Sequence, residues 1–71
     1  MVNKNLLKSK LTLFELSPES TAERIGMNGR TFRRRLSGDT EFNCSEVTKL
    51  SKLLHLTNDE IMEIFFTDKV S

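Results

Sequence analysis

Apolar residues recur three or four positions apart along most of the chain, and polar residues fill the positions between them. Residues 3–14 show this pattern first, with an apolar stripe that consists of Leu6, Leu7, Leu11, Leu13 and Phe14. Such a stripe is typical of an amphipathic helix that packs one face against a core. No stretch alternates convincingly with a period of two residues, so the sequence predicts an all-α fold without a sheet.

Two later helices are predicted to begin at capping boxes, in which a capping side chain is followed three positions later by glutamate. Asn43 and Glu46 form the first box, and the helix that follows is predicted to run to about Leu54. Thr57 and Glu60 form the second box and open a shorter helix. The apolar residues that continue these two helices at helical spacing are Val47, Leu50, Leu54, Ile61, Ile64 and Phe65.

Between the first helix and these two lies a stretch with the signals of two short helices joined by a tight turn. Ser17 is a suitable N-cap, and Pro18 suits the first helical position because no N–H is needed there. Gly26 follows the first of the two helices, where a left-handed backbone is favourable for glycine. Asn28 can cap the second. The pattern predicts a helix-turn-helix unit over about residues 18–36.

The second helix of this unit has an apolar side and a cationic side. Phe32 and Leu36 are four residues apart and define the buried side, and the loop residue Phe42 is expected to pack beneath them. The outward positions carry Arg30, Thr31, Arg33 and Arg34. Arginine can bind guanine edges in the major groove or phosphate oxygens. The alternative interpretation is that these arginines only keep a short helix solvated.

The charge of the chain is unevenly distributed. The 71 residues predict one domain, residues 1–71, and the polar residues 67–71 are expected to fray. Although the net charge is only +1, residues 1–38 carry eight basic and three acidic side chains, whereas residues 39–71 carry three basic and seven acidic ones. Such asymmetry would steer the basic half toward phosphates, and it leaves open that the acidic half meets a basic protein partner.

The composition does not favour catalysis or metal binding. Cys44 and His55 are the only cysteine and histidine, and neither has a partner at ligand or catalytic spacing, so no catalytic residue, metal or cofactor is expected. Lys4, Lys8 and Lys10 surround the first apolar stripe and are expected on a solvated face. No apolar run is long enough to span a membrane, and the N-terminus lacks signal-peptide features, so the expected location is the cytoplasm.

Several short motifs follow one another in a characteristic order and spacing. They are Ala22-Glu23-Arg24-Ile25-Gly26-Met27-Asn28, Thr31-Phe32, Leu36-Ser37-Gly38, Thr40-Glu41-Phe42, Ser45-Glu46-Val47 and the run from Asp59 to Phe66. Together they resemble the helix-turn-helix proteins of the phage Cro and repressor type, and especially the small regulators of Gram-positive phages. Three positions depart from that pattern, since Thr21 and Arg35 stand where many relatives have apolar residues, and Gly29 stands where relatives often have a base-reading glutamine.

The resemblance implies a compact five-helix, lambda-repressor-like fold. It also implies a transcriptional regulator that binds double-stranded DNA in a phage or prophage switch, in the cytoplasm of the bacterial host, with the third helix in the major groove. The expected base contacts are Asn28, Arg30, Thr31 and Arg34. The expected phosphate contacts are Ser17, Ser20, Arg33 and Thr40.

Two expectations concern the partners of the chain. Because Gly29 leaves few base contacts, a symmetric homodimer is expected on the operator. Its expected contact residues are Met62, Phe65 and Phe66, for which ordinary packing within one chain is an equal alternative. A function of another class also stays open, in which the chain is a protein-interaction module that binds and modulates a phage repressor in an antirepressor-like manner.

Overall fold

The computed structural model describes residues 2–66, which form five α-helices and no strand. The helices are α1 (Lys4–Leu13), α2 (Pro18–Arg24), α3 (Gly29–Ser37), α4 (Cys44–Leu53) and α5 (Asn58–Phe65). The prediction of an all-α, five-helix fold is confirmed. The predicted fraying of residues 67–71 lies outside the described residues. None of the helices in residues 2–66 has the length and apolar character needed to cross a membrane.

Each helix begins at a side-chain cap that can be recognised in the sequence. The capping residues are Asn3, Ser17, Asn28, Asn43 and Thr57. Both predicted capping boxes are present with reciprocal bonds: in the first, the Glu46 N–H donates to Asn43 Oδ1 at 2.8 Å and the Asn43 N–H donates to Glu46 Oε1 at 3.0 Å. The helix starts therefore follow from contacts within three residues.

All five helices, or the residues that cap them, contribute to one apolar core. Its buried members are Leu7, Leu11, Ala22, Ile25, Phe32, Leu36, Leu50, Leu54, Ile64 and Phe65. Phe42 joins this core from the loop after α3. The centre of its ring is 5.9 Å from that of Phe32 and 5.4 Å from that of Phe65, and both pairs have an edge-to-face arrangement. The predictions for Phe32, Leu36 and Phe42 are confirmed. The core therefore packs against one side of α3 and fixes its position.

The predicted apolar stripe of α1 is wrong at its C-terminal end. Leu13 is 72% exposed and Phe14 is 38% exposed. Leu13 lies six positions after Leu7, which is about 240° around the helix, so it faces away from the core. Phe14 is the C-cap of α1, and its ring stacks on His55 with 5.9 Å between the ring centres. The helix period, applied strictly, separates Leu13 from the stripe.

A backbone hydrogen bond and an ion pair connect α1 and its N-cap to α5. The Asn3 N–H donates to Ile64 O at 2.6 Å, and Lys10 Nζ donates to a carboxylate oxygen of Glu60. The hydrogen bond from Lys10 has the largest effect on the pKa of Glu60 and lowers it from its ordinary value of 4.5. The hydrogen bond from the Thr57 N–H is the next largest cause and lowers the pKa further. The contribution of Glu60 to stability is thus complete above the unfolded-state pKa and is lost as pH falls through the lower folded-state pKa. The expectation of a solvated face is wrong for Lys10, which is half-buried.

Candidate nucleic-acid interface

The α2–α3 unit, which comprises the two helices and residues 25–28 between them, has the predicted tight turn. Gly26 has a left-handed backbone with φ of 73°. The Met27 N–H donates to Ala22 O at 2.8 Å and closes the end of α2. Ile25 is buried in the turn and anchors it to the core. The chain can reverse here because glycine adopts this conformation without steric cost.

Thr21 shows how a polar residue occupies an apolar position in α2. It is fully buried, and its hydroxyl donates to Ser17 O at 2.8 Å, one helical turn earlier. A buried hydroxyl is costly only when it lacks a hydrogen-bond partner, so the backbone acceptor makes the threonine acceptable. The departure at Thr21 thus leaves the packing of α2 against the core intact.

Arg35, on α3, is the second position at which the sequence departs from the apolar residues of the resembled family, and its side chain contacts neighbouring segments of the chain. Its Nη1 donates to Glu41 O at 2.6 Å, and its Nε lies 2.9 Å from Glu46 Oε1. These contacts link α3 to the following loop and to the first turn of α4. The contact with Glu46 is an ion pair, since Arg35 Nε has no hydrogen-bond partner within residues 2–66. Arg35 therefore belongs to the scaffold that supports α3 rather than to the outward cationic face.

Asn28 caps α3 as predicted, and the cap is formed by the oxygen of its side-chain amide. The Oδ1 atom accepts from the Arg30 N–H at 2.9 Å and from the Thr31 N–H at 3.4 Å. The oxygen is therefore committed to the helix. Any contact of Asn28 with a nucleic acid would use its Nδ2 donors.

The outward face of α3 brings three of the predicted arginines together. Arg30, Arg33 and Arg34 line an open groove of about 560 Å³, together with Glu19, Gly29 and Ser37. Thr31 is half-buried and is not among the lining residues. The space beside Gly29 is open, since a Cβ atom at this position would meet nothing within 4 Å. The lining therefore combines three arginines with no bulky apolar residue.

Two acidic side chains lie close to these arginines. Arg33 Nη2 contacts Glu19 Oε2 in an ion pair that joins α3 to the first turn of α2. Arg34 Nε is 4.0 Å from Asp39 Oδ2, at the outer limit of an ion pair, whereas Arg30 forms no ion pair with any of residues 2–66. Because Arg33 and Glu19 are both mostly exposed, their pairing contributes only about 0–1 kcal/mol. A competing anion can therefore displace Glu19 at low cost.

The other predicted phosphate contacts differ in accessibility. Ser17 and Ser20 are exposed and bonded to each other, since Ser17 Oγ accepts from the Ser20 N–H and donates to Ser20 Oγ, both at 3.1 Å. The Ser20 hydroxyl can still donate outward. Thr40 is different, because its Oγ1 is shielded from solvent and has no hydrogen-bond partner in residues 2–66. In this rotamer the Thr40 hydroxyl cannot reach a phosphate.

A second groove lies between α4 and α5 and was not predicted from the sequence. It encloses about 460 Å³, and its lining is mainly apolar. The lining residues are Phe42, Cys44, Val47, Thr48, Ser51, Lys52, Ile61 and Phe66. Cys44 is exposed and has a free thiol. The helical spacing of the apolar residues in these two helices does not indicate that an open groove remains between them.

Comparison with known proteins adds no relative. No protein-family model matches the chain, no curated protein is significantly similar to it, and no solved structure matches its fold significantly.

Proposed function

We propose that the chain is a sequence-specific double-stranded DNA-binding regulator of transcription, of the Cro and repressor type. The observation that carries the proposal is the arrangement of α3. One face carries Phe32 and Leu36 in the core, and the other carries Arg30, Arg33 and Arg34 along an open groove. A helix that is anchored on one side and cationic on the other is suited to the DNA major groove.

The size of α3 agrees with this docking. An α-helix with its side chains is about 10–12 Å across, and the major groove is about 12 Å wide. In the proposed complex the N-terminal half of α3 faces the bases, with Arg30 and Arg34 as the principal readers. Asn28 and Thr31 contribute through the Asn28 Nδ2 donors and the short threonine side chain. Bidentate bonds from arginine to guanine O6 and N7 supply specificity.

Phosphate contacts come from the sides of the α2–α3 unit. Arg33 exchanges Glu19 for a phosphate, which the exposed position of the pair permits. Ser17 and Ser20 stand at the start of α2. The Ser20 hydroxyl donates to the backbone of the duplex, and Ser17 supports it by donating to Ser20 Oγ. Contacts of this kind set the position of the protein on DNA and make its affinity depend on salt.

A single α3 provides few base contacts, so the proposed DNA-bound form is a symmetric homodimer. Its operator has two half-sites about 34 Å apart, one turn of DNA. Met62 is 52% exposed and Phe66 is half-buried, so these two side chains can meet a partner. Phe65 is buried in the core and serves packing within the chain. A regulator of this kind acts in the cytoplasm of a bacterial host, where the operator is located.

Footprinting and gel-shift assays on the DNA that flanks the gene for this chain test the proposal. The expected result is a pair of protected regions one helical turn apart. A matched control is the R30Q/R34Q variant, which keeps the buried side of α3 and should lose the protection. Absence of protection by the wild-type chain at every concentration would contradict DNA binding.

The groove between α4 and α5 favours a second candidate function, that of a protein-interaction module that modulates a phage repressor. The groove is mainly apolar, its one charged lining residue is Lys52, and it belongs to the half of the chain with an excess of acidic residues, so it is suited to a partner with apolar side chains. Tight binding to the repressor encoded beside this gene, combined with no footprint, would favour this function over operator binding.

A further inference from the structure

Another open groove adjoins the arginine groove and extends to α1. It encloses about 290 Å³ and shares Arg33 and Ser37 with the groove described above. Its lining residues are Lys4, Lys8, Pro18, Arg33, Leu36 and Ser37. Three of these six residues are cations and none is acidic. The cationic surface of α3 therefore continues onto α1 at the position of Arg33.

The stability of α1 does not account for the two lysines. Lys4 is the first residue of α1, close to the positive end of the helix dipole, and the first turn contains no acidic residue to offset it. Lys8 lies four positions later on the same side, where like charges repel. Helix stability therefore gives no reason for a lysine at either position.

Lys10 provides a contrast on the same helix. It is half-buried and paired with Glu60, so it holds α1 against α5. Lys4 and Lys8 are exposed and form no ion pair with any side chain in the described part of the chain, residues 2–66. Their ammonium groups are therefore available to an external anion.

We propose that Lys4, Lys8 and Arg33 form a binding site for the phosphates of the DNA backbone, beside the major groove that α3 enters. The proposal rests on the proposed function. A helix that fills the major groove has the two phosphate backbones at its sides. Arg33 belongs to both grooves, so the lysines that share the smaller groove with it lie next to a backbone. Lysine binds phosphate as a mobile point charge and needs no fixed orientation.

The salt dependence of affinity for a short random-sequence DNA duplex tests this site. Each phosphate contact contributes about 0.9 to the slope of log affinity against log salt, so K4Q/K8Q should lower the slope by about 1.8. Between 50 and 200 mM salt, the wild type should lose about 12-fold more affinity than this variant. The matched control is K49Q/K52Q, which removes the same charge from α4, and which should keep the wild-type slope. Circular dichroism verifies that both variants are folded.

The other outcomes of this experiment distinguish failure of the lysine site from failure of the proposed function. A wild-type slope for K4Q/K8Q would overturn the lysine site while leaving the proposed function intact. Equal reductions for K4Q/K8Q and K49Q/K52Q would overturn it as well, because they would indicate a general effect of net charge. If the wild-type chain itself binds neither this duplex nor its flanking DNA, the proposed function fails and the lysine site fails with it.

Discussion

Arg33 and Arg35 are two positions apart on α3 and have opposite environments. The Arg35 side chain is 21% exposed, donates a hydrogen bond to the loop and forms an ion pair with α4, whereas the Arg33 side chain is 63% exposed and pairs with Glu19 across an open groove. Two positions correspond to about 200° around a helix, so the two side chains leave it on opposite sides. The comparison shows that the same residue type supports the fold on one side of α3 and is accessible to a ligand on the other.

The largest effect is expected at the buried side of α3. Phe32 is fully buried and its ring packs against Phe42. F32A should therefore lower the free energy of unfolding by about 3–5 kcal/mol, enough to unfold much of so small a chain. Thermal melting followed by circular dichroism measures it. R34A, on the exposed side, is the control and should change stability by about 0.5 kcal/mol or less. Unchanged helicity and melting in F32A would show that the buried side is misassigned.

The next largest effect is expected when Arg35 and Arg33 are replaced in turn and the stabilities of the two variants are compared. R35M keeps most of the apolar stem, but it removes the donors to Glu41 O and leaves the half-buried Glu46 without its cation. It should cost about 1–3 kcal/mol in urea unfolding. R33M, the matched change at the exposed position, should alter stability by about 0.5 kcal/mol or less. Equal losses in the two variants would remove the distinction between the two sides.

The DNA-binding side should itself divide into base readers and phosphate contacts. R30A is expected to cost about 1–3 kcal/mol of binding free energy and to relax the preference at one base pair. R33A should weaken all sequences alike and lower the salt slope by about 1. Affinities for a panel of single-base operator variants, each measured at several salt concentrations, distinguish them. Identical behaviour of the two variants would be inconsistent with the proposed docking of α3.

The smallest effect concerns Glu19, which competes with phosphate for Arg33. E19Q removes the competing charge, so it should tighten binding to every duplex modestly, while the salt slope stays close to that of the wild type because the number of phosphate contacts is unchanged. In an R33Q background the same change should have a smaller effect, because no guanidinium remains to be released. An equal gain in both backgrounds would indicate that Glu19 acts only by repelling DNA.

Most of the fold could be predicted because its signals are local. The caps at Asn28 and Asn43 and the turn at Gly26 each involve atoms within a few residues of one another, so the residue types alone indicate them. The outward side of α3 was predicted for a similar reason, since the helix period separates Phe32 and Leu36 from Arg30 and Arg34. The predicted DNA contacts remain predictions.

The rest depends on which helices meet, and no local pattern encodes that. Lys10 and Glu60 are 50 positions apart, and only the packing of α1 against α5 brings them together. The same holds for the pairing of Arg35 with Glu46 on α4 and for the groove that α1 shares with Arg33. By itself the sequence determined where helices begin and turn and which side of each is apolar, since these properties repeat within one or two helical turns. Tertiary structure alone decided which cations are paired and which face an open groove, because pairing requires contacts between distant segments.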